Sequence, residues 1–184
     1  MSHTGNQEIA LRPLRKGDAA QLASLANNKK IADCLRDVFP YPYSEGDALS
    51  FITLCLEEDP QMNFGITVDS KLAGVIGLIL QPDIYRISAE AGYWLGEDFW
   101  GRGVATAALK LLIAYAFDTL KLAKLFSGVF STNRASVRVL EKCGFEQEGL
   151  FKRSLIKNGI LLDEYRYGLI NLDYKGEGIG IGTK

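Results

Sequence analysis

Residues 93–108 carry the pattern with the most chemical content in this sequence. An aromatic and apolar stretch, Tyr93-Trp94-Leu95, is followed by a turn containing Gly101-Arg102-Gly103 and then by Val104 and several alanines. This order predicts a strand, a tight turn and the beginning of an apolar helix. The first amides of a helix lack intrahelical acceptors and lie at the positive end of the helix dipole, and glycines let a ligand approach the backbone. With the added charge of Arg102, the stretch is a candidate phosphate-binding site.

Two widespread phosphate-binding motifs fit this turn poorly. The P-loop is closest in spacing, because Gly96 and the later glycines reproduce its glycine frame. However, Arg102 replaces its lysine, and Gly103 replaces the Ser or Thr that would hold magnesium. A dinucleotide-binding turn would need a third small residue at Thr106 and an acidic residue at the end of the next strand. That predicted strand, Lys124 to Thr132, ends without one.

A second pattern follows further along the chain. Asn133 and Ser136 stand at the beginning of a segment that is predicted to be helical, and Glu141-Lys142-Cys143-Gly144-Phe145 stands at its end. Asn133 is a suitable N-cap and Gly144 a suitable left-handed stop, so helix capping explains both of these residues. Capping does not explain why Asn-x-x-Ser occurs together with Glu-Lys-x-Gly-Phe.

Together the two patterns resemble the GNAT N-acetyltransferases, and in particular the branch that includes the ribosomal-protein alanine acetyltransferases RimJ and RimL. The acetyl-CoA pattern of that family, Gln/Arg-x-x-Gly-x-Gly/Ala, corresponds to residues 100–105. Trp100 departs from the pattern, because it stands where Gln or Arg is usual. Leu140 departs as well, because many members have a tyrosine there that acts as an acid.

The resemblance implies an α/β (α+β) fold. In the GNAT fold a mixed, mostly antiparallel central sheet is splayed in the middle and flanked by about four helices. Acetyl-CoA would lie between the strand at Ile87–Leu95 and the strand at Lys124–Thr132. The resemblance covers all the predicted elements from Ile9 to Ile170.

The resemblance also implies which residues bind acetyl-CoA. The amides of residues 102–106 would bind the pyrophosphate, and the backbone of residues 93–95 would pair with the pantetheine arm. The backbone N–H of Leu95 would be placed to polarise the thioester carbonyl. The cofactor-binding residues implied in this way are Tyr93, Trp94, Leu95, Arg102, Gly103, Val104, Ala105, Thr106, Asn133 and Ser136. No metal is implied.

Two residues are candidates for proton transfer in an acetyl transfer. Ser136 would lie near the sulfur as the acid for the leaving thiolate, although a place in the first helical turn explains it almost as well. An amine must lose a proton before it attacks, and Glu90, just before Gly92, is the candidate base. An exposed strand position or an orienting role would explain Glu90 equally well. Direct attack in a ternary complex needs no covalent intermediate, so Cys143 is not expected to be a nucleophile.

Residues in two other segments are candidates for the acceptor site. Phe39, Tyr41 and Tyr43 alternate with prolines in a constrained loop and would wall the acceptor site, although a packed connector explains the same aromatic residues. Asp163 and Glu164 lie on the last predicted strand and alternate in direction, so that one of them is expected to reach the acceptor amine. Of these, Phe39, Tyr41, Tyr43 and Asp163 are the predicted substrate-contacting residues.

The acceptor implied by the resemblance is a primary amine. A protein N-terminal amine, such as that of a ribosomal protein, and a small amine both remain open. Because the family tyrosine is replaced by Leu140, a CoA-binding regulatory module without turnover is the alternative function. A nucleotide-binding protein is a third hypothesis.

Hydrophobic periodicity, turn residues and caps predict the elements that would position these side chains. The predicted strands are Ile9–Leu14, Asn63–Val68, Leu72–Leu80, Ile87–Leu95, Lys124–Thr132, Gly149–Lys157 and Ile160–Ile170. The predicted helices follow Lys16-Gly17-Asp18, span Asn28–Val38, follow a capping box at Ser44–Asp47, run from Val104 to near Leu120, and follow Asn133.

The composition bears on the number of domains, on binding to nucleic acid or membranes, and on the location of the protein. A chain of 184 residues, 47% of them apolar, suits one well-packed domain, which we assign to residues 1–172, with a glycine-rich flexible tail at residues 173–184. A formal charge of -1 gives no general attraction to nucleic acid or to an anionic membrane. No apolar run is long enough to span a bilayer. We therefore expect a cytoplasmic protein, either a monomer or a homodimer.

Histidine and cysteine usage argues against other kinds of site. The single histidine, His3, lies in a polar leader, so a Ser-His-Asp triad or a His-ligated metal site is not expected. Cys34, Cys55 and Cys143 are odd in number and fall in segments predicted to be helical. We interpret them as reduced thiols in the core.

Overall fold

The structure of the protein is a computed structural model that describes residues 7–176. His3 and the last residues of the predicted tail, 177–184, lie outside the described residues. The chain forms two compact units. The first unit contains the residues up to Gly77 together with Tyr93–Ala108, and the second contains Leu78–Gly92 together with the residues from Leu109 onward.

Within residues 7–176 the strands are β1 (Ile9–Arg12), β2 (Asn63–Val68), β3 (Lys71–Leu80), β4 (Ser88–Leu95), β5 (Lys124–Phe130), β6 (Glu146–Lys157) and β7 (Ile160–Ile170). The α-helices are α1 (Ala19–Ala26), α2 (Lys29–Ala32), α3 (Glu45–Leu56), α4 (Val104–Ala114) and α5 (Arg134–Lys142). A π-helical turn, Tyr115–Thr119, continues α4. The described chain thus has five α-helices where about four were expected, and the shortest of them, α2, has only 4 residues.

The strands form one seven-stranded sheet in the order β1-β2-β3-β4-β5-β7-β6. β3 and β4 run antiparallel, because Gln81 N donates to Ser88 O at 3.0 Å and Gly96 N donates to Ala73 O at 2.8 Å. β4 and β5 are parallel, and the other neighbours are antiparallel. The prediction of a mixed, mostly antiparallel sheet is therefore confirmed.

The parallel pair in the middle of the sheet is short. Its register joins Ser88–Glu90 of β4 to Lys124–Phe126 of β5 and goes no further, although β5 continues to Phe130. Ala91 and Gly92, which belong to the same unit, have no partner in this register. The parallel pairing is therefore limited to three residues of each strand.

Local sequence signals explain most element boundaries. β1 ends at Arg12 rather than Leu14, because Pro13 cannot donate to the ladder. The β6–β7 hairpin turns at Asn158 and Gly159, whose φ angles of 50° and 77° are both left-handed, as a type I′ turn requires. The predicted Asn-Gly hairpin is confirmed.

The first unit has its core around α1 and α3. Leu22 of α1 packs with Ala48 and Ile52 of α3, and all three are fully buried. Ser44 Oγ accepts from Asp47 N at 3.2 Å, and Asp47 Oδ2 accepts from Ser44 N at 2.8 Å. The predicted capping box at the beginning of α3 is therefore confirmed.

The helix predicted at Asn28–Val38 is much shorter than expected. Asn28 caps it, because its side chain accepts from Lys30 N at 2.9 Å, but only Lys29–Ala32 is helical and turns follow. Cys34 consequently lies in a turn and is exposed, so its prediction as a core thiol was wrong. Cys55 is buried, and this burial raises the pKa of its thiol to about 12.

Among residues 7–176, no helix combines the length and the apolar character needed to cross a bilayer.

Candidate active site

The glycine-rich turn of the first unit joins β4 to α4. After β4 the chain makes a short 3₁₀ turn, Glu97–Phe99. Trp100, the residue that departs from the family pattern, then donates from Nε1 to the carbonyl oxygen of Leu95 at 2.8 Å. This bond closes the turn onto the end of β4 and gives Trp100 a structural role, although 42% of it remains exposed.

Two glycines in the turn have left-handed backbone angles. Gly101 has φ 71° and Gly103 has φ 77°, a region that other residues occupy only with strain. A Cβ atom built on either glycine would have no neighbouring heavy atom within 4 Å. The space in front of both glycines is therefore open, and a ligand can reach their backbone.

The open turn leads directly into the N-terminus of α4. Gly103 O accepts from Ala107 N at 3.0 Å, so the helical bonding begins at Gly103 and the N-terminus of α4 follows the open turn directly. Gly103 is exposed and Ala105 half-exposed, whereas Val104 is only 1% exposed and anchors the helix in the core. Exposed amides at a helix N-terminus are suited to bind a pyrophosphate.

Arg102 supplies the cationic side chain of this turn. Its Nη1 donates to the carbonyl oxygen of Asp98 at 3.2 Å, and its guanidinium lies 5.5 Å from the ring centroid of Phe99. These contacts hold the exposed side chain beside Gly103 while engaging only part of its five donors.

The predicted aromatic loop divides into buried and exposed residues. Phe39 contacts Tyr43 at 4.9 Å between ring centroids and Trp94 at 5.8 Å in an edge-on arrangement. Tyr43 is 7% exposed, and burial raises its pKa to about 12. Tyr41, by contrast, is 51% exposed. The structure thus brings Phe39, Tyr43 and Trp94 together as packed residues and leaves Tyr41 on the surface.

The second pattern of the sequence lies in the second unit, at the beginning of α5. Asn133 Oδ1 accepts from Ser136 N at 3.1 Å, which is the N-cap that the sequence predicts. Ser136 is half-buried in the first helical turn. Gly144 ends the helix with φ 87°, and the predicted left-handed stop is confirmed. Burial raises the pKa of the Cys143 thiol, which disfavours the nucleophilic thiolate.

Substitutions of Asn133 can separate its role as a helix cap from its predicted role in cofactor binding. We expect Asn133→Ala to lower the free energy of unfolding by about 1 kcal/mol, because the amide of Ser136 loses its acceptor. Asn133→Asp keeps an acceptor and should leave stability unchanged, but it lacks the NH2 donors that would bind the pantetheine arm. The KM for acetyl-CoA should rise in both variants. Urea denaturation and steady-state kinetics measure these effects, and an unchanged KM in the aspartate variant would restrict Asn133 to capping.

Glu90 lies on the half-exposed face of the sheet in the second unit. It pairs with Phe126 of β5, whereas its neighbours Ala89 and Ala91 are buried on the opposite face. Because strand residues alternate in direction, the Glu90 side chain shares its face with Phe126 and Gly128. We call this the Glu90 face. A carboxylate there is partly shielded and still accessible to a ligand.

Asp163 and Glu164 lie on opposite faces of the sheet, as predicted. Asp163, the one predicted to contact the substrate, lies on the face opposite to Glu90. Asp163 Oδ1 accepts from Arg153 N at 2.8 Å, where the β6–β7 register is irregular. Glu164 instead pairs with Phe130 on the Glu90 face. A Cβ atom on Gly128 would lie 1.8 Å from Glu164 Oε1, so the glycine makes room for this carboxylate.

Arg166, which was not predicted as a site residue, is also on the Glu90 face. It pairs with Gly128 and is separated from Glu164 by a single residue. No sequence signal distinguishes it, because Asp163 and Glu164 of the same strand are also charged and only strand pairing decides which of these residues share a face. Within residues 7–176, no group of three or more His, Cys, Asp or Glu side chains is arranged to hold a metal ion.

Comparison with known proteins identifies the family. The acetyltransferase (GNAT) domain family matches residues 8–146. YdaF of Bacillus subtilis, whose name provisionally assigns it to the ribosomal N-acetyltransferases, is 32% identical over 179 residues, 94% of this chain and 96% of YdaF. Spermidine N(1)-acetyltransferase of Escherichia coli K12 is 28% identical over 170 residues, 92% of this chain and 89% of that protein.

A solved structure of a related enzyme agrees with this assignment. The microcin C7 self-immunity acetyltransferase MccE, in complex with acetyl-CoA and AMP, is 27% identical with a TM-score of 0.78. The alignment covers 90% of this chain and 94% of that one. In the present chain the space in front of Gly101 and Gly103 is open, which leaves room for a phosphate-bearing ligand at a helix N-terminus. The chain belongs to the GNAT family, and it is an N-acetyltransferase that uses acetyl-CoA.

Proposed function

We propose that the protein acetylates a primary amine by direct attack in a ternary complex, and that the residues described above form its site. The open, left-handed turn at Gly101 and Gly103, followed by the N-terminus of α4, is the observation that supports the cofactor part of this proposal most directly. Bound acetyl-CoA supplies an activated thioester and a leaving thiolate.

The residues around the turn each have a task in this proposal. The amides of Gly103, Ala105 and Thr106 donate to the pyrophosphate, and Arg102 adds a positive charge beside them. The backbone of Tyr93–Leu95 continues the strand and offers its edge to the pantetheine arm, with Trp94 fixed by its contact with Phe39. Asn133 donates from its amide nitrogen to the same arm. Most of the binding energy comes from these groups.

Two side chains handle protons. Glu90 accepts a proton from the acceptor ammonium, either directly or through one water molecule, so that a neutral amine is available for attack. Ser136 donates a hydrogen bond as negative charge develops on the leaving sulfur, in a position near the N-terminus of α5 where the helix dipole helps. Holding the amine close to the thioester provides the remainder of the rate enhancement.

The related enzymes leave two acceptor classes for this chain. YdaF suggests a ribosomal protein N-terminus, and the spermidine enzyme suggests a small amine. We propose a primary amine acceptor in the cytoplasm, where thiols such as exposed Cys34 stay reduced, and a monomeric or homodimeric enzyme. Exposed Tyr41 is available to contact a peptide or an amine that enters the site.

Release of CoA thiol, combined with mass spectrometry of the products, tests this proposal. Purified protein is given acetyl-CoA with ribosomal proteins, amino acids or polyamines, and we expect an N-acetylated product from at least one class. Varying both substrates should give intersecting reciprocal plots, as sequential binding requires. Parallel plots would indicate a covalent intermediate. Tight CoA binding without any product would favour the regulatory module instead.

A further inference from the structure

Arg166 has an unusual environment on the Glu90 face of the second unit. Its guanidinium carbon lies 4.9 Å from the ring centroid of Phe126 and 5.5 Å from that of Phe151. Phe126 belongs to β5 and Phe151 to β6, the strands on either side of β7. The guanidinium is therefore held between two aromatic rings, a geometry that suits the planar arginine head and restricts its motion.

The hydrogen-bonding edges of this guanidinium are not used by the described residues. Its Nε is buried and has no hydrogen-bond partner. Its nearest ionic neighbour is Glu164, with Nη2 and Oε1 separated by 3.8 Å, which is too long for a hydrogen bond. Because Nε is closed to solvent, a ligand would bind the outer nitrogens of the guanidinium. The Arg166 side chain is 32% exposed, so its outer nitrogens remain within reach of a ligand.

Arg166 and Glu90 are close enough to contact one small acceptor. Glu90 pairs with Phe126, and Phe126 pairs with Gly168, which lies two residues after Arg166 on β7. Strand spacing and rise then place the two Cα atoms on the order of 12 Å apart. The two long side chains cover much of that distance. The gap left between the two charged groups suits an acceptor whose amine and anionic group are separated by only a few bonds.

We infer that Arg166 is a specificity-determining residue that binds a carboxylate of the acceptor, so that the substrate is an amine that also carries a carboxylate. This inference rests on the proposed function and narrows its acceptor class. A planar guanidinium binds a carboxylate through two parallel hydrogen bonds, which satisfies donors that the protein leaves unused. Glu164 lies near the guanidinium without forming a hydrogen bond to it, so it competes only weakly for these donors. The same positive charge repels the second ammonium group of a polyamine.

The carboxylate can come from two sources, and matched acceptors distinguish them. Alanine and alaninamide differ in the α-carboxylate. The dipeptide amides of Ala-Asp and Ala-Asn differ in a side-chain carboxylate next to an N-terminal amine. Spermidine represents the polycations. In the wild-type enzyme we expect kcat/KM to be about 10- to 100-fold higher for the carboxylate member of at least one pair, the range expected for a hydrogen-bonded charged group.

Three variants test whether Arg166 causes this preference. Arg166→Met retains an apolar side chain between the rings and should abolish the preference through the acceptor KM, while the KM for acetyl-CoA and the rate with the amide member stay unchanged. Glu164→Gln removes the competing carboxylate and should lower the KM of the carboxylate acceptor by about 2- to 5-fold, as expected for a weak, partly exposed pair. Arg86→Met removes an exposed arginine of the same unit and should change nothing.

The outcomes separate this inference from the proposed function. If spermidine, or the amide member of both pairs, were acetylated at least as fast as the carboxylate acceptors, the role of Arg166 would be overturned and the acetyltransferase proposal would stay intact. An equal loss for carboxylate and amide acceptors in Arg166→Met would also overturn it, because such a loss indicates a structural role only. If no amine of any class were acetylated, the proposed function itself would fail.

Discussion

Gly103→Ala is expected to raise the KM for acetyl-CoA by about 100-fold, or about 2.8 kcal/mol of binding free energy. The added Cβ would project into the open space in front of the helix N-terminus, where the pyrophosphate would lie. The φ of 77° at this residue also disfavours any side chain, so the turn would shift and misalign the donor amides. Isothermal titration with CoA and steady-state kinetics with acetyl-CoA measure the effect.

The β6–β7 hairpin provides a control with the same backbone strain. Gly159 also has φ 77°, and a Cβ atom added to it would likewise have no heavy atom within 4 Å. Gly159→Ala should therefore lower the free energy of unfolding by about 1 kcal/mol, the same backbone cost as Gly103→Ala. The KM of the Gly159→Ala variant for acetyl-CoA should stay at the wild-type value. Equal KM values for the two variants would show that Gly103 has only a conformational role, and the phosphate site would have to be sought elsewhere.

Glu90→Gln is expected to lower kcat by about 100- to 1000-fold, the usual contribution of a general base. Glutamine keeps the size and hydrogen-bonding capacity of the side chain, so the KM for acetyl-CoA should not change. The pH dependence should change as well: without the base, kcat/KM should follow only the fraction of acceptor amine that is already deprotonated in solution. Stopped assays across the pH range measure both effects.

Glu146→Gln is the matched control for Glu90. Glu146 begins β6 in the same unit and is exposed, so its replacement removes one carboxylate without altering the proposed proton transfer. Its kcat should stay within about twofold of wild type, as is usual for an exposed charge remote from the chemistry. A Glu90→Gln enzyme that retained most of its kcat and the wild-type pH profile would eliminate Glu90 as the base and leave it an orienting role.

Local signals in the sequence correctly predicted several helix caps and turns of the structure. The capping box at Ser44, the cap at Asn133, the stop at Gly144 and the Asn158–Gly159 turn all occur as expected. Each depends on the conformation of a few adjacent residues, which side-chain type and φ preference determine. The same locality explains why the glycine turn before α4 could be predicted from the sequence.

Other features depend on pairing between distant strands, and here the sequence was a poor guide. Asp163 and Glu164 are adjacent and chemically alike, but the β5–β7 register places Glu164 on the Glu90 face and Asp163 at the irregular part of β6. Two local features also differed from expectation. Trp100, which in the sequence is only a departure from a motif, donates to Leu95. Cys34 lies in a turn because α2 ends early.

The sequence by itself therefore determined the fold family, the glycine turn before α4 and most element boundaries of this protein, because these follow from short-range conformational preferences and a recognisable motif. Only the tertiary structure decided which charged side chains share a face with Glu90. A strand residue points to one side or the other according to register, and register is set by packing along the whole sheet. For that reason the guanidinium of Arg166, held between rings from two other strands, could be found only in the folded chain.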